Sequence, residues 1–248
     1  MDFAPLVLAA FFAGFVDAVA GGGGLIQVPA LLSVLPETPV ATLFGTNKLS
    51  SIFGTGSAAW RYSRRISIAW RVVTPIAITA FMFSIVGAAF VAWVPVELVR
   101  PVVFVLLLLV VTYVMRQPDF GLMSPAYIHP SRLRSLFVGG GLGFYDGFFG
   151  PGTGSFLLFC FVRFFGMGFL EASGSAKVVN LFTNAAALVY FLPSGNVLLA
   201  LALLMAIANV LGAQLGAQAA LRGGNIWVRR AFLGISIALI LRVGMDLV

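Results

Sequence analysis

Ten apolar runs, parted only by short punctuation of Gly, Pro and Arg, constrain this chain more than any other feature. They lie near 4–20, 24–35, 39–60, 68–93 and 97–115, then 133–149, 153–166, 168–191, 197–221 and 227–246. Runs of this length and apolarity read as helices suited to hydrocarbon. A full crossing takes about 20 residues, so ten of them would leave almost no loop in 248 residues, and some segments are expected to be short. Composition agrees, because only 9% of residues are charged and 60% are apolar, where a soluble domain carries about a quarter charged. The chain is expected to be an all-α integral membrane protein, with the lipid bilayer as its solvent. Disorder is excluded by the same apolarity, and a disulfide scaffold by the single Cys160.

The second half lies on the first with a constant shift of 129 residues and no gap. Gly14, Phe15 and Asp17 fall on Gly143, Phe144 and Asp146, and Gly21 and Gly23 on Gly150 and Gly152. Matches of Gly or Ala are cheap in so biased a composition. The lysines are not cheap: the chain has two, Lys48 and Lys177, and they share one register. A fixed internal period marks a repeat, here residues 1–118 and 132–248 joined by a polar cytoplasmic linker at 119–131.

Arginine placement orients the halves, since cytoplasmic loops collect Lys and Arg. Arg61, Arg64, Arg65 and Arg71 follow the third segment, whereas its counterpart loop at 191–196 is uncharged. The two loops therefore face opposite sides. Arg116, Arg132, Arg134, Arg163, Arg222, Arg229 and Arg230 join the first group inside, leaving Arg100 and Arg242 outside. The formal charge of +7 is then a topology signal, and no nucleic-acid partner is expected. The reading is two inverted-topology repeats of about five segments each, with 8–10 spans and both termini outside, a plan found in secondary transporters. A re-entrant hairpin in place of the first two segments of each half keeps the same parity. Residues 5–19 with Ala18-Val19-Ala20 imitate a signal peptide, but Asp2 precedes them and Gly-Phe-x-Asp recurs at 143–146, so no cleavage is expected.

Ionisable groups within a bilayer are costly and mark function by default. Lys48 heads a stripe with Ser51 and Thr55, and Lys177 one with Asn180 and Asn184. Such spacing puts each set on one helix face. Two faces related by the repeat would set two ammonium groups around one midplane cavity, an anion site; otherwise each lysine neutralises a nearby Asp or snorkels to an interface. Gly22, Gly23 and Gly24, answered by Gly152, Thr153 and Gly154, break the helix. Broken backbone survives in a membrane where it is buried in protein or lines a cavity, and the helix that follows presents free N–H groups to an anion. Thr46, Asn47 and Ser175 are further substrate-binding candidates, with Gln27, Ser155 and Ser173 behind them. Asp17 and Asp146 either pair with the lysines, bind a coupling H⁺ or Na⁺, or hydrogen-bond backbone freed by the breaks. Glu37, Glu97 and Glu171, near segment ends, read as solvated.

No catalytic constellation emerges. The single His129 lies in the linker and Cys160 in an apolar run, so neither a metal site nor a histidine base is expected. No cofactor is implied. Trp60, Trp70, Trp93 and Trp227 fall at segment ends, where an aromatic belt belongs.

Gly-Phe-Val-Asp-Ala-Val-Ala-Gly-Gly-Gly-Gly-Leu-Ile-Gln-Val-Pro-Ala-Leu (14–31), with Gly45-Thr46-Asn47-Lys48 downstream, resembles the TauE/SafE family of sulfite and organosulfonate exporters. The likeness spans the chain, and Gly150-Pro151-Gly152-Thr153-Gly154 is its looser second copy. The resemblance implies a multi-pass carrier of the bacterial inner membrane for small sulfur-containing anions such as sulfite, thiosulfate, sulfoacetate or related sulfonates. The residues themselves reach a transporter with an anion site; with the resemblance, the expectation is export by alternating access. An anion channel and a membrane-embedded assembly or enzyme subunit remain as alternatives.

Overall fold

A computed structural model describes residues 3–91, 96–117, 120–122 and 131–245. Asp2, Trp93, His129 and most of the 119–131 linker lie outside the described residues, as do the side chains of Glu97, Arg100, Arg132 and Arg242. The described elements are helices: α1 (Ala4–Ala20), α2 (Gly24–Val34), α3 (Val40–Ser63), α4 (Trp70–Phe90), α5 (Val96–Arg116), α6 (Arg132–Phe148), α7 (Thr153–Phe165), α8 (Phe169–Phe191) and α9 (Leu199–Met245). The loop expected at 222–230 contracts to a kink: Gly224 (φ 66°, ψ −168°) has non-helical backbone and divides α9 into two helical limbs. Asn225 fixes that kink by accepting from Leu170 N at 2.8 Å and donating to Leu122 O at 3.1 Å.

The glycine clusters end α1 and α6 where expected. Gly21 (φ 76°) and Gly152 (φ 89°) adopt left-handed backbone that L side chains rarely tolerate. The helices that follow are short. At 11 and 13 residues, α2 and α7 reach about 16 and 20 Å at 1.5 Å per residue, less than the hydrocarbon thickness of about 30 Å. Each half thus opens with a hairpin rather than two crossings. By length and apolarity alone α4 and α9 can cross a bilayer. Helices α3 and α8, at 24 and 23 residues, are at least as long as α4 but carry the polar stripes.

Large apolar side chains face outward as well as inward, and charged ones are found inside. Leu8, Phe12, Met82, Leu109, Ile207 and Leu241 point outward, while Lys48, Lys177, Asp146 and Asn184 are buried. Lysine and aspartate are almost never fully buried unless paired.

Helix directions follow from which residues meet. Gly45 lies against Phe191, Gly56 against Leu181 and Gly174 against Tyr62, so α3 and α8, equivalent in the repeat, run antiparallel. Gly14 meets Asn209, Gly212 meets Phe11 and Gly216 meets Phe15, so α1 runs parallel to the first limb of α9. Helix α6 treats α4 identically, with Gly139 on Ile76, Gly143 on Ala80 and Gly147 on Ser84. The repeats are therefore inverted, and each lays its first helix on the other's fourth. At these crossings glycine brings backbones into direct contact, as small residues do between membrane helices.

Candidate functional site

The two glycine breaks meet at the centre of the molecule. Gly21 lies directly on the backbone of Gly154, and Gly24 approaches Pro151 Cα. The carbonyls that α1 loses at its break are recovered by donors from three helices. Tyr62 Oη donates to Ala18 O (2.9 Å), Ser173 Oγ to Val19 O (3.0 Å) and Ser155 Oγ to Ala20 O (3.0 Å). Ser155 and Ser173, cavity candidates in the sequence, instead hold the end of α1.

Beside the breaks lies a polar cavity of about 30 Å³, room for two or three waters at about 10–15 Å³ each. Equivalent residues of both halves line it in pairs: Asp17 with Asp146, Gly23 with Gly152, Ser51 with Asn180, and Thr55 with Asn184. Gly22, Gly24, Asn47, Lys48, Gly150, Gly154 and Asn209 complete its polar wall, and Ala13 contributes a methyl group. The N-terminal turns of α2 and α7 border it with the positive ends of their dipoles, and most of their amides are already bonded within the turn, Leu25 N to Gly22 O at 2.9 Å and Ser155 N to Gly152 O at 3.0 Å among them.

Two ion pairs cross between the halves. Lys48 Nζ donates to Asp146 Oδ2 at 2.6 Å, with side chains 3% and 2% exposed. Lys177 Nζ stands 2.9 Å from Asp17 Oδ2, with side chains 1% and 17% exposed, but this contact is not aligned as a hydrogen bond. Thr55 Oγ1 also donates to Asp17 Oδ2, at 3.4 Å. Glycine makes room for both ammonium groups: a Cβ on Gly150 would come 2.9 Å from Lys48 Nζ, and one on Gly154 3.2 Å from Lys177 Nζ.

Of the arrangements left open for the lysines, the geometry has the one in which each is paired with an aspartate. Each lysine is neutralised by the aspartate of the opposite half, and Lys177 does not line the cavity. Three other candidates also serve the backbone or stand apart. Thr46 Oγ1 donates to Thr42 O (2.6 Å) and accepts from Leu198 N (3.0 Å), and Thr153 Oγ1 donates to Gly150 O (2.7 Å). Ser175 is buried away from the cavity. Asn209 is a lining residue that the repeat does not disclose, since Ala80 holds its equivalent position. Its Nδ2 donates to Ala10 O and to Gln27 Oε1, both at 3.1 Å. An amide within the apolar run 197–221 was the available signal.

A buried polar chamber on an inverted-repeat axis, inside a helical body with an apolar exterior, defines a membrane transporter. The sequence comparisons agree: the profile of the family described as "Sulfite exporter TauE/SafE" matches residues 6–243. The chain belongs to the TauE/SafE family. It is 37% identical over 241 residues to a probable membrane transporter protein, ORF9, of Sinorhizobium sp, covering 97% of this chain and 92% of that protein. A probable membrane transporter protein of Haemophilus influenzae is 35% identical, covering 91% and 88%. The probable membrane transporter protein YfcA of Escherichia coli is 34% identical, covering 91% and 85%. No solved structure matches the chain.

Proposed function

We propose that the chain exports compact sulfur oxyanions, sulfite or small molecules headed by a sulfonate, across the bacterial inner membrane by alternating access around the central cavity. The observation that carries this reading is the chamber itself, lined by matched residues of both halves and more polar than apolar. Its donors suit an oxyanion: the Lys48 ammonium, the amides of Asn47, Asn180 and Asn184, and the hydroxyls of Ser51 and Thr55, with the positive dipole ends of α2 and α7 beside them. An arriving anion competes with Asp146 for Lys48, and the exchange loosens one of the two links that tie the halves together. Its small volume favours a compact head group over a bulky one.

Energetics fit the direction. A membrane potential negative inside favours efflux of an anion by about 2.3 kcal/mol per charge per 100 mV, so export proceeds without a coupling ion. Uptake would require H⁺ or Na⁺, with Asp17 the more accessible carboxylate to carry it.

Flux through proteoliposomes tests the assignment. Sulfite efflux is expected to saturate and to collapse in Lys48→Gln and in Asn184→Leu. The double variant Lys48→Met/Asp146→Asn leaves no unpaired charge at this site, and it too should be inactive although folded. Parental flux from the folded double variant would overturn the site, and an ohmic, non-saturating current would make the protein a channel.

A further inference from the structure

A second cavity lies at the arginine-bearing end of the molecule, at the C-terminal ends of α3 and of the first limb of α9. It encloses about 620 Å³, far more than the central chamber. Arg61, Arg64 and Arg65 of one half face Gln218 and Arg222 of the other across it, with Trp60 at its edge. Four guanidinium groups converge, and no carboxylate is among the residues lining the pocket. Arg61 is held in place by neutral partners: its Nε donates to Gln214 Oε1 and its Nη1 to Gln218 Oε1. Arg64 lies over the Trp60 ring, 5.4 Å from its centroid, a cation–π contact.

Like charges gathered with no carboxylate among the lining residues repel one another, and the pocket favours a negatively charged guest. Guanidinium is the side chain that grips phosphate through two parallel hydrogen bonds. The pocket's other surface is apolar, formed by Ile66, Leu170 and Leu221, and Trp60 is 60% exposed beside it, as tryptophan is at the level of lipid head groups. A charged pole next to an apolar floor matches an amphiphile better than a free ion. We propose that this pocket binds the phosphodiester head group of an anionic phospholipid in the cytoplasmic leaflet, bridging the two halves. Basic pockets between membrane helices on that side hold such head groups.

The bound lipid has a mechanical consequence. Tyr62 and Ile66 pack against Gly174 beside the pocket, so a head group shared by α3 and α9 braces the end at which α3 and α8 meet. The inference stands apart from the transported substrate, and its test reads lipid binding alone.

Native mass spectrometry of the purified full-length protein in zwitterionic detergent, titrated with phosphatidylglycerol or phosphatidylcholine, decides it. The parent should retain phosphatidylglycerol in clear preference. Each basic residue near an anionic leaflet contributes about 1 kcal/mol, so Arg64→Gln/Arg222→Gln should bind it roughly 30-fold more weakly. Arg134→Gln, a change outside the pocket, should bind it as the parent does. Equal retention of the two lipids by the parent would overturn the proposal, as would parental affinity in the double variant. Competition on the parent protein needs no variant to fold: displacement of phosphatidylglycerol by millimolar sn-glycerol 3-phosphate would make the ligand a free phosphate ester and overturn the lipid assignment.

Discussion

Breaking the Lys48–Asp146 pair is the sharpest test of how the halves are joined. Both side chains are at most 3% exposed and 2.6 Å apart, so this is a buried pair, not a screened surface one worth about 0–1 kcal/mol. Removing one member leaves an uncompensated charge in the protein interior, at a cost of about 3–5 kcal/mol. Lys48→Met and Asp146→Asn should therefore each lower the apparent melting midpoint by roughly 6–20 °C, on the scaling of about 2–4 °C per kcal/mol for chains of this size. The double variant removes both charges and should be more stable than either single one. The Lys177–Asp17 pair, with Asp17 17% exposed and the contact unaligned, should show the same pattern at lower amplitude in Lys177→Met, Asp17→Asn and their combination. Fluorescence of the four tryptophans during heating in detergent, at one scan rate, supplies the midpoints. Single-variant losses that simply add in the double variant, within about 0.5 kcal/mol, would refute the coupling and with it the crosswise linkage of the repeats.

Two further outcomes follow from packing and direction. Gly21→Ala drives a methyl group into the backbone of Gly154 at a left-handed residue and should abolish folded protein, while Gly141→Ala, which meets nothing within 4 Å, should leave the yield and midpoint unchanged; size-exclusion profiles after membrane extraction compare them. Single cysteines at exposed Ser63 and Gly195 in a Cys160→Ala background should react with an impermeant maleimide from opposite sides of the membrane, and labelling from one side would sink the inverted arrangement.

The glycine breaks were legible at 21–24 and 150–154 because glycine and proline disfavour helix wherever they stand together. The stripe Gly139, Gly143 and Gly147 was equally visible in the sequence, but its role at the α4 crossing depended on which helix lay opposite. At 222–230 the Arg-Gly-Gly-Asn string reads as a loop, and the helix does break there, but at Gly224 alone, with Asn225 anchored to Leu170 and Leu122 beside it. Local propensity placed the break, and its length was set by what packs around it.

The sequence by itself determined that the chain is a helical membrane protein, that it is a 129-residue repeat turned over, and that two lysines share a register in its interior. These are properties of apolar periodicity and of where arginine falls, and each is local or one-dimensional. Only the tertiary structure decided what the lysines face. Asp17 and Asp146 had three roles open, and the choice turned on α3 and α8 running antiparallel, which carries each lysine to the hairpin of the opposite half. A charge in a low-dielectric interior takes its nearest counter-charge, and nearness across 98 or 160 residues of chain is set by folding alone.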